Sequence, residues 1–212
     1  MGKVYLIRHG EVAWNRENAY VGVTDLPLND TGRAQAASLA DYLKNKNLSA
    51  IYSSNLSRAR ETAENIASRT GLTVQVVPEL HEVNYGDWEG VNEQEIARRW
   101  EKEFHEWRSE PMRVRIPGGE FLSEMRDRAY GTFRTIARSH PDENIAIVAH
   151  KTVNRVILCC VMDVDPNRYR RIGQGNACVN IIEVRPDGSF MADTINERCF
   201  LHDAEGEDSA AT

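Results

Sequence analysis

Apolar positions follow two rhythms along this chain: short unbroken runs, and longer stretches in which they recur every three or four residues. Residues 3–7 (Lys-Val-Tyr-Leu-Ile) form a run that stops at Arg8-His9-Gly10, as a buried strand does when it opens into a loop. Residues 31–45 carry Ala34, Ala37, Leu39, Ala40 and Leu43 at helical spacing, with Thr31 as the expected N-cap. A second strand, residues 50–53, precedes a helix that opens near Ser57 and stops at Gly71, and a third strand covers residues 73–77. Residues 92–109 read as one helix, because Ile96, Trp100, Phe104 and Trp107 line up as a single aromatic stripe. Pro111, Pro117, Gly118 and Gly119 mark an irregular link before a helix over residues 121–138. Residues 145–149 are apolar throughout, as a strand buried on both faces must be, and residues 152–162 form an apolar helix. Residues 179–184 and 190–195 make a hairpin around Pro186-Asp187-Gly188.

Strands alternating with helices predict one α/β domain over residues 1–202, a three-layer α/β/α sandwich with a mostly parallel central sheet. A short helical cap is expected at about 88–120 and a flexible acidic tail at 203–212. A length of 212 residues suits one such domain, and no internal repeat or long apolar run suggests a solenoid or a membrane span. Met1-Gly2-Lys3 enters a strand directly, without the apolar core of a signal peptide, so the expected location is cytoplasmic. Cys159, Cys160, Cys178 and Cys199 show no metal or disulfide spacing. The net charge of −6 lacks the basic footprint of a nucleic-acid binder. An acidic protein that handled an anion would have to gather its arginines in one place.

Three groups stand where predicted strands end: Arg8-His9, Ser54 to Arg58, and His150. In open α/β sheets that edge binds ligands, and the segments of Arg58 and His150 also open helices, whose N-termini favour anions. Two arginines and two histidines on one edge describe a phosphate pocket. An arginine directly after a buried strand needs an anion, and its charge holds the neighbouring imidazole neutral and nucleophilic. If one His9 nitrogen donates to a carbonyl near Gly10, the other presents a lone pair. A metal centre built from His9, His150 and Glu82 is disfavoured because the flanking arginines would repel a dication.

Leu6-Ile7-Arg8-His9-Gly10-Glu11, with Trp14-Asn15, resembles the signature of the histidine phosphatase superfamily in its phosphoglycerate-mutase-like branch. Further blocks follow in family order: Asp25-Leu26-Pro27-Leu28, Ser53 to Ala59, Glu82 with Gly86-Asp87-Trp88, Gly118-Gly119-Glu120, and Val148-Ala149-His150. The resemblance spans residues 4 to about 185. It implies that His9 is the nucleophile, that Arg8, Arg58 and His150 hold the phosphate, and that Glu82 is the general acid and base. Asn15 and Gly22 would line the phosphate pocket and Lys151 its rim. No cofactor or metal is implied. The expected partner is a small phosphate ester, with neither nucleic acid nor membrane, and a homodimer is the default for such domains.

Departures from the pattern bear on subclass. Val21 stands where relatives often carry glutamine or threonine, Lys151 follows the second histidine, and Phe121 replaces a small hydroxyl residue. True mutases typically have arginine directly after the acid glutamate and a longer insertion. Val83 and the short segment 92–119 therefore imply hydrolysis, because water reaches the intermediate. Tyr85 stands where the metal-independent phosphoserine phosphatases often have histidine. The alternatives are a phosphoglycerate mutase, a phosphoserine, sugar-phosphate or α-ribazole phosphate phosphatase, and a non-enzymatic phosphate-binding module. Arg58 is expected to face a solvent-open pocket.

Overall fold

Alternation along the first strand fixes the layers. In β1 (Lys3–Arg8), Val4 and Leu6 point to one face, and Tyr5 and Ile7 to the other, and all four are buried. Burying each such side chain contributes about 1.5–3 kcal/mol, so neither face can turn to water. Val4 and Leu6 join Ile145, Ile147, Val153 and Met125 in one core, while Tyr5 and Ile7 join Leu39, Leu43, Ala63 and Ile66 in a second. The computed structural model describes residues 1–201 and shows a single α/β/α domain built on these two cores. The expected acidic tail, 203–212, lies outside the described residues.

Six strands make one sheet in the order β3 (Val74–Val76), β2 (Leu48–Ser53), β4 (Asn144–Ala149), β1, β5 (Val179–Val184), β6 (Phe190–Glu197). The first four run parallel; β5 is antiparallel to β1, and β6 to β5. After a short helix α1 (Ala13–Arg16), α2 (Asp30–Leu43) and α3 (Ser57–Thr70) cover one face. On the other face, α4 (Glu93–Arg99) and α5 (Glu101–Ser109) pack beside α6 (Leu122–Ser139) and α7 (Lys151–Val161). No helix of the described residues is long and apolar enough to cross a membrane.

The main elements stand where the pattern put them, including the left-handed Gly71 that ends α3 at φ 74°. Two expectations are corrected. Asn29, not Thr31, caps α2, its side chain accepting from the Gly32 N–H at 2.8 Å, while the Thr31 hydroxyl accepts from Arg16. The helix expected over 92–109 is broken at Trp100 (φ −129°, ψ 50°) into α4 and α5. Ile96, Phe104 and Trp107 still reach the core, and Trp100 is left half-buried under the Arg99 guanidinium.

Parallel pairing then aligns the chemistry. Arg8 lies opposite Ala149 in β4, and Ser53 opposite Val148, so the C-terminal ends of β2, β4 and β1 are adjacent. His9, Ser54 and His150 are each the next residue in line.

Candidate active site

His9 leaves β1 with its backbone tied on both sides, donating to Ala149 O and accepting from Ala177 N–H, each at 3.1 Å. Its Nδ1 lies 2.6 Å from the Gly10 carbonyl. A carbonyl only accepts, so Nδ1 carries the ring proton and Nε2 keeps its lone pair. The His150 ring lies 5.2 Å away, centroid to centroid. His150 caps α7, and its Nε2 meets the Ser54 hydroxyl at 2.7 Å. When that hydroxyl donates, the ring proton sits on Nδ1, a buried atom with no acceptor among the described residues.

Both arginines converge here. The Arg8 Nη1 donates to Gln174 O at 2.7 Å. Arg58 opens α3 and reaches across to the loop before Asp25, donating to Thr24 O at 2.9 Å and Gly22 O at 2.6 Å. That loop is fixed in turn by Glu89, which accepts from the N–H groups of Val23 and Thr24 at 2.9 and 2.8 Å. A Cβ at Gly22 would stand 2.0 Å from Glu89 Oε1 and 2.7 Å from the Val83 carbonyl oxygen, so the backbone would have to shift to admit one. Neither guanidinium pairs with a carboxylate of the described residues, and the Nε of each is buried without an acceptor. Arg8 Nε, Arg58 Nε and His150 Nδ1 are therefore three desolvated donors awaiting an acceptor, a costly arrangement unless an anion binds.

Arg58 is fully buried. The expectation of a solvent-open pocket around it is corrected: the side chain braces the 22–24 loop from inside as well as facing the site.

Glu82 is 3% exposed and is held by backbone donors, Val83 N–H and Thr152 N–H at 3.0 Å and Val153 N–H at 3.3 Å. Two of these belong to the first turn of α7, so the helix that begins at His150 also seats Glu82. Arg128 clamps the preceding loop through the carbonyls of His81 and Glu82, and Glu120 holds Arg128 at 2.7 Å. The neighbouring His81 turns its Nδ1 onto the Glu82 carbonyl. Asn15 Oδ1 accepts from Val12 N–H and from Asn176, which leaves its Nδ2 to donate elsewhere. Val21 packs with Val12, Leu28 and Ala36, making no polar contact. Lys151 is exposed as the first residue of α7.

The sequence reading missed the supports. Gln174 and Asn176 hold Arg8 and His9 from the loop before β5, and Thr62 accepts the Gly10 N–H at 3.1 Å. The polar, glycine-flanked run 173–176 just before an apolar strand was the available signal.

Burial, then Arg58, then Arg8 hold the His9 pKa well below 6.5. Burial and Arg58 do the same for His150, whose pKa also starts from 6.5. Arg8 itself falls to about 10 through desolvation. In the unfolded chain both imidazoles take up protons as pH falls through 6.5, while in the fold they remain neutral to well below it. The unfolded state then binds more protons, so stability falls as pH drops below 6.5. Melting temperature between about pH 7 and about pH 5 should therefore fall more steeply in the parent than in His150→Gln. Parallel slopes would mean that this ring is not held neutral.

Among the described residues, no group of three or more His, Cys, Asp or Glu side chains is placed to hold a metal ion. The arrangement gathers a lone pair, three unpartnered donors and a carboxyl near the adjacent C-terminal ends of β1, β2 and β4. That suits attack on a tetrahedral oxyanion.

Known proteins share this frame. A sequence profile of the histidine phosphatase superfamily (branch 1) matches residues 4–197. Phosphoserine phosphatase 1 of Hydrogenobacter thermophilus is 32% identical over 201 residues, 95% of each chain. The 2,3-bisphosphoglycerate-dependent phosphoglycerate mutase 2 of Gloeobacter violaceus is 29% identical across 94% of this chain and 93% of that protein. The solved structure of Bacillus stearothermophilus YhfR is 29% identical, with a TM-score of 0.87 over 95% of this chain and all of that one.

Proposed function

This chain belongs to the histidine phosphatase superfamily, and on that premise we propose that it hydrolyses small phosphate monoesters through a phosphohistidine carried on His9. The observation that carries the reading is the His9 Nδ1–Gly10 contact of 2.6 Å, which leaves the Nε2 lone pair available on a ring whose neighbours are Arg8, Arg58 and His150.

The Nε2 lone pair attacks phosphorus, and the bond to the ester oxygen breaks on the opposite side. Arg8, Arg58 and His150 donate to the phosphoryl oxygens as charge spreads over them. Glu82 gives its proton to the departing alkoxide, then takes one from the water that attacks the phosphohistidine. Phosphate leaves and His9 returns with its lone pair. Asn15 and Gly22 complete the phosphate side, and Lys151 adds charge at the rim.

Hydrolysis is favoured over transfer to a second substrate by Val83, which is fully buried in the core. The residue after the acid therefore cannot grip a phosphoglycerate, as the arginine of a mutase would. Phosphoserine, sugar-phosphate and α-ribazole phosphate esters remain the candidate substrates.

Glu82→Gln should slow phosphoryl transfer most for alkyl esters and least for nitrophenyl phosphate, whose leaving group departs without a proton. Single-turnover rates in buffer containing a chelator measure this. Equal slowing of both ester types would give the acid role to another residue, and activity lost to the chelator would refute a metal-free site.

A further inference from the structure

Glu89 reaches both sides of the site. Trp88 before it is fully buried, its ring 5.2 Å from that of Trp107 and 5.8 Å from that of Phe104, so the backbone at Glu89 starts from a fixed point. Glu89 then runs beside Tyr20 in a single parallel bridge, and the Gly90 N–H donates to the Tyr20 carbonyl at 3.0 Å. The side chain is thereby brought against the segment that follows Tyr20. Besides the Val23 and Thr24 N–H groups, its oxygens accept from the Thr24 hydroxyl and, at 3.2 Å, from the Tyr85 N–H. Tyr85 belongs to the loop that leaves Glu82, and its hydroxyl meets that of Thr152, whose N–H holds the Glu82 carboxyl.

One carboxyl group therefore bridges two loops. The 22–24 loop supplies the carbonyls that hold Arg58, and the 83–85 loop follows Glu82. At Gly22 the loops pack so closely that an added Cβ would collide with Glu89 and with the Val83 carbonyl together. Among the described residues, four donors from the two loops converge on the two oxygens. An ionised carboxylate suits this, because it has about four lone-pair sites and no proton to set against a donor. An amide of the same size would turn an NH2 toward N–H groups. We infer that Glu89 is a positioning residue that holds the phosphate-binding Arg58 and the proton-donating Glu82 at their working separation, through the 22–24 and 83–85 loops. This role rests on the phosphatase reading and adds to it a residue that acts only through others.

Two readouts separate the role from a merely structural one. Vanadate affinity reports the phosphate side, and the ratio of single-turnover rates for nitrophenyl phosphate and an alkyl phosphate reports the acid side. Glu89→Gln should weaken vanadate binding and widen the ester ratio, each by about tenfold or more. Loss of folded protein alone would slow both esters equally and leave their ratio unchanged. In an Arg58→Ala background the same change should weaken vanadate binding by no more than about threefold, because the residue it acts through is gone. In a Glu82→Gln background it should hardly widen the ester ratio, for the same reason. If the melting curve shows that Glu89→Gln does not fold, Thr24→Val, which removes the hydroxyl donor, should shift both readouts by about two- to fivefold, and Thr24→Ser should restore them. Absence of all hydrolysis by the parent would overturn the phosphatase reading. An active parent whose Glu89→Gln variant moves one readout or neither, or keeps its full effect in either background, would overturn the role of Glu89. So would a Thr24→Val variant that matches the parent in both readouts.

Discussion

His9→Ala should lower the rate of ester hydrolysis by about 10⁴–10⁶-fold, the loss typical when the nucleophile of a covalent mechanism is removed. The effect is this large because no other group among the described residues is placed to replace it. The second imidazole, His150, has its Nε2 engaged by Ser54, and on the reading above its Nδ1 is a donor, not a lone pair. The fold should survive. The variant loses one contact to the Gly10 carbonyl, at a cost of about 1–3 kcal/mol, and no longer buries an imidazole between two arginines. A melting curve within a few degrees of the parent, with hydrolysis gone, is the expected pair of results. Hydrolysis within about tenfold of the parent would place the covalent step elsewhere.

Arg58→Ala should cost about 10²–10³-fold in turnover, in the range for removing one charged donor from a developing oxyanion. It should also weaken phosphate and vanadate binding. Unlike the loss at His9, this one should be visible in stability. The Gly22 and Thr24 carbonyls both lose their donor, each at about 1–3 kcal/mol unless water replaces it, and the 22–24 loop then hangs on Glu89 alone. Urea midpoints together with vanadate titration separate the two effects. Vanadate bound as tightly as by the parent would remove Arg58 from the pocket and leave it only the bracing role.

The elements that form the site were legible because they depend on local pattern. A strand of alternating faces ends where its apolar run ends, and that placed Arg8, His9 and His150 at one sheet edge without any knowledge of pairing. Family motifs then brought in Glu82, whose position no periodicity marks. What was not legible depends on phase or on distance along the chain. Asn29 and Thr31 are both competent caps, and spacing cannot choose between them when the first turn carries few apolar residues. Trp100 keeps the step of four in the stripe, yet the backbone breaks there, because the same rings can be delivered to one core by two short helices. The burial of Arg58 follows from the Gly22 and Thr24 carbonyls, more than thirty residues away. Gln174 is 166 residues from the arginine it holds, a contact that exists only once β5 lies beside β1.

The central claim is that phosphate passes through His9, and trapping it there is the most direct test. A slow ester labelled in its phosphate, mixed rapidly with enzyme and quenched into alkali, should leave label on the protein. That label should be acid-labile and alkali-stable, as a phosphoramidate is, and should map to the peptide containing His9. His9→Ala should take no label, and His150→Ala should take it slowly, because His150 stabilises the transition state without forming the bond. Chased with water or with phosphoglycerate, the trapped phosphate should go to water. Label mapping to a serine, or turnover without label while His9→Ala stays active, would contradict the account.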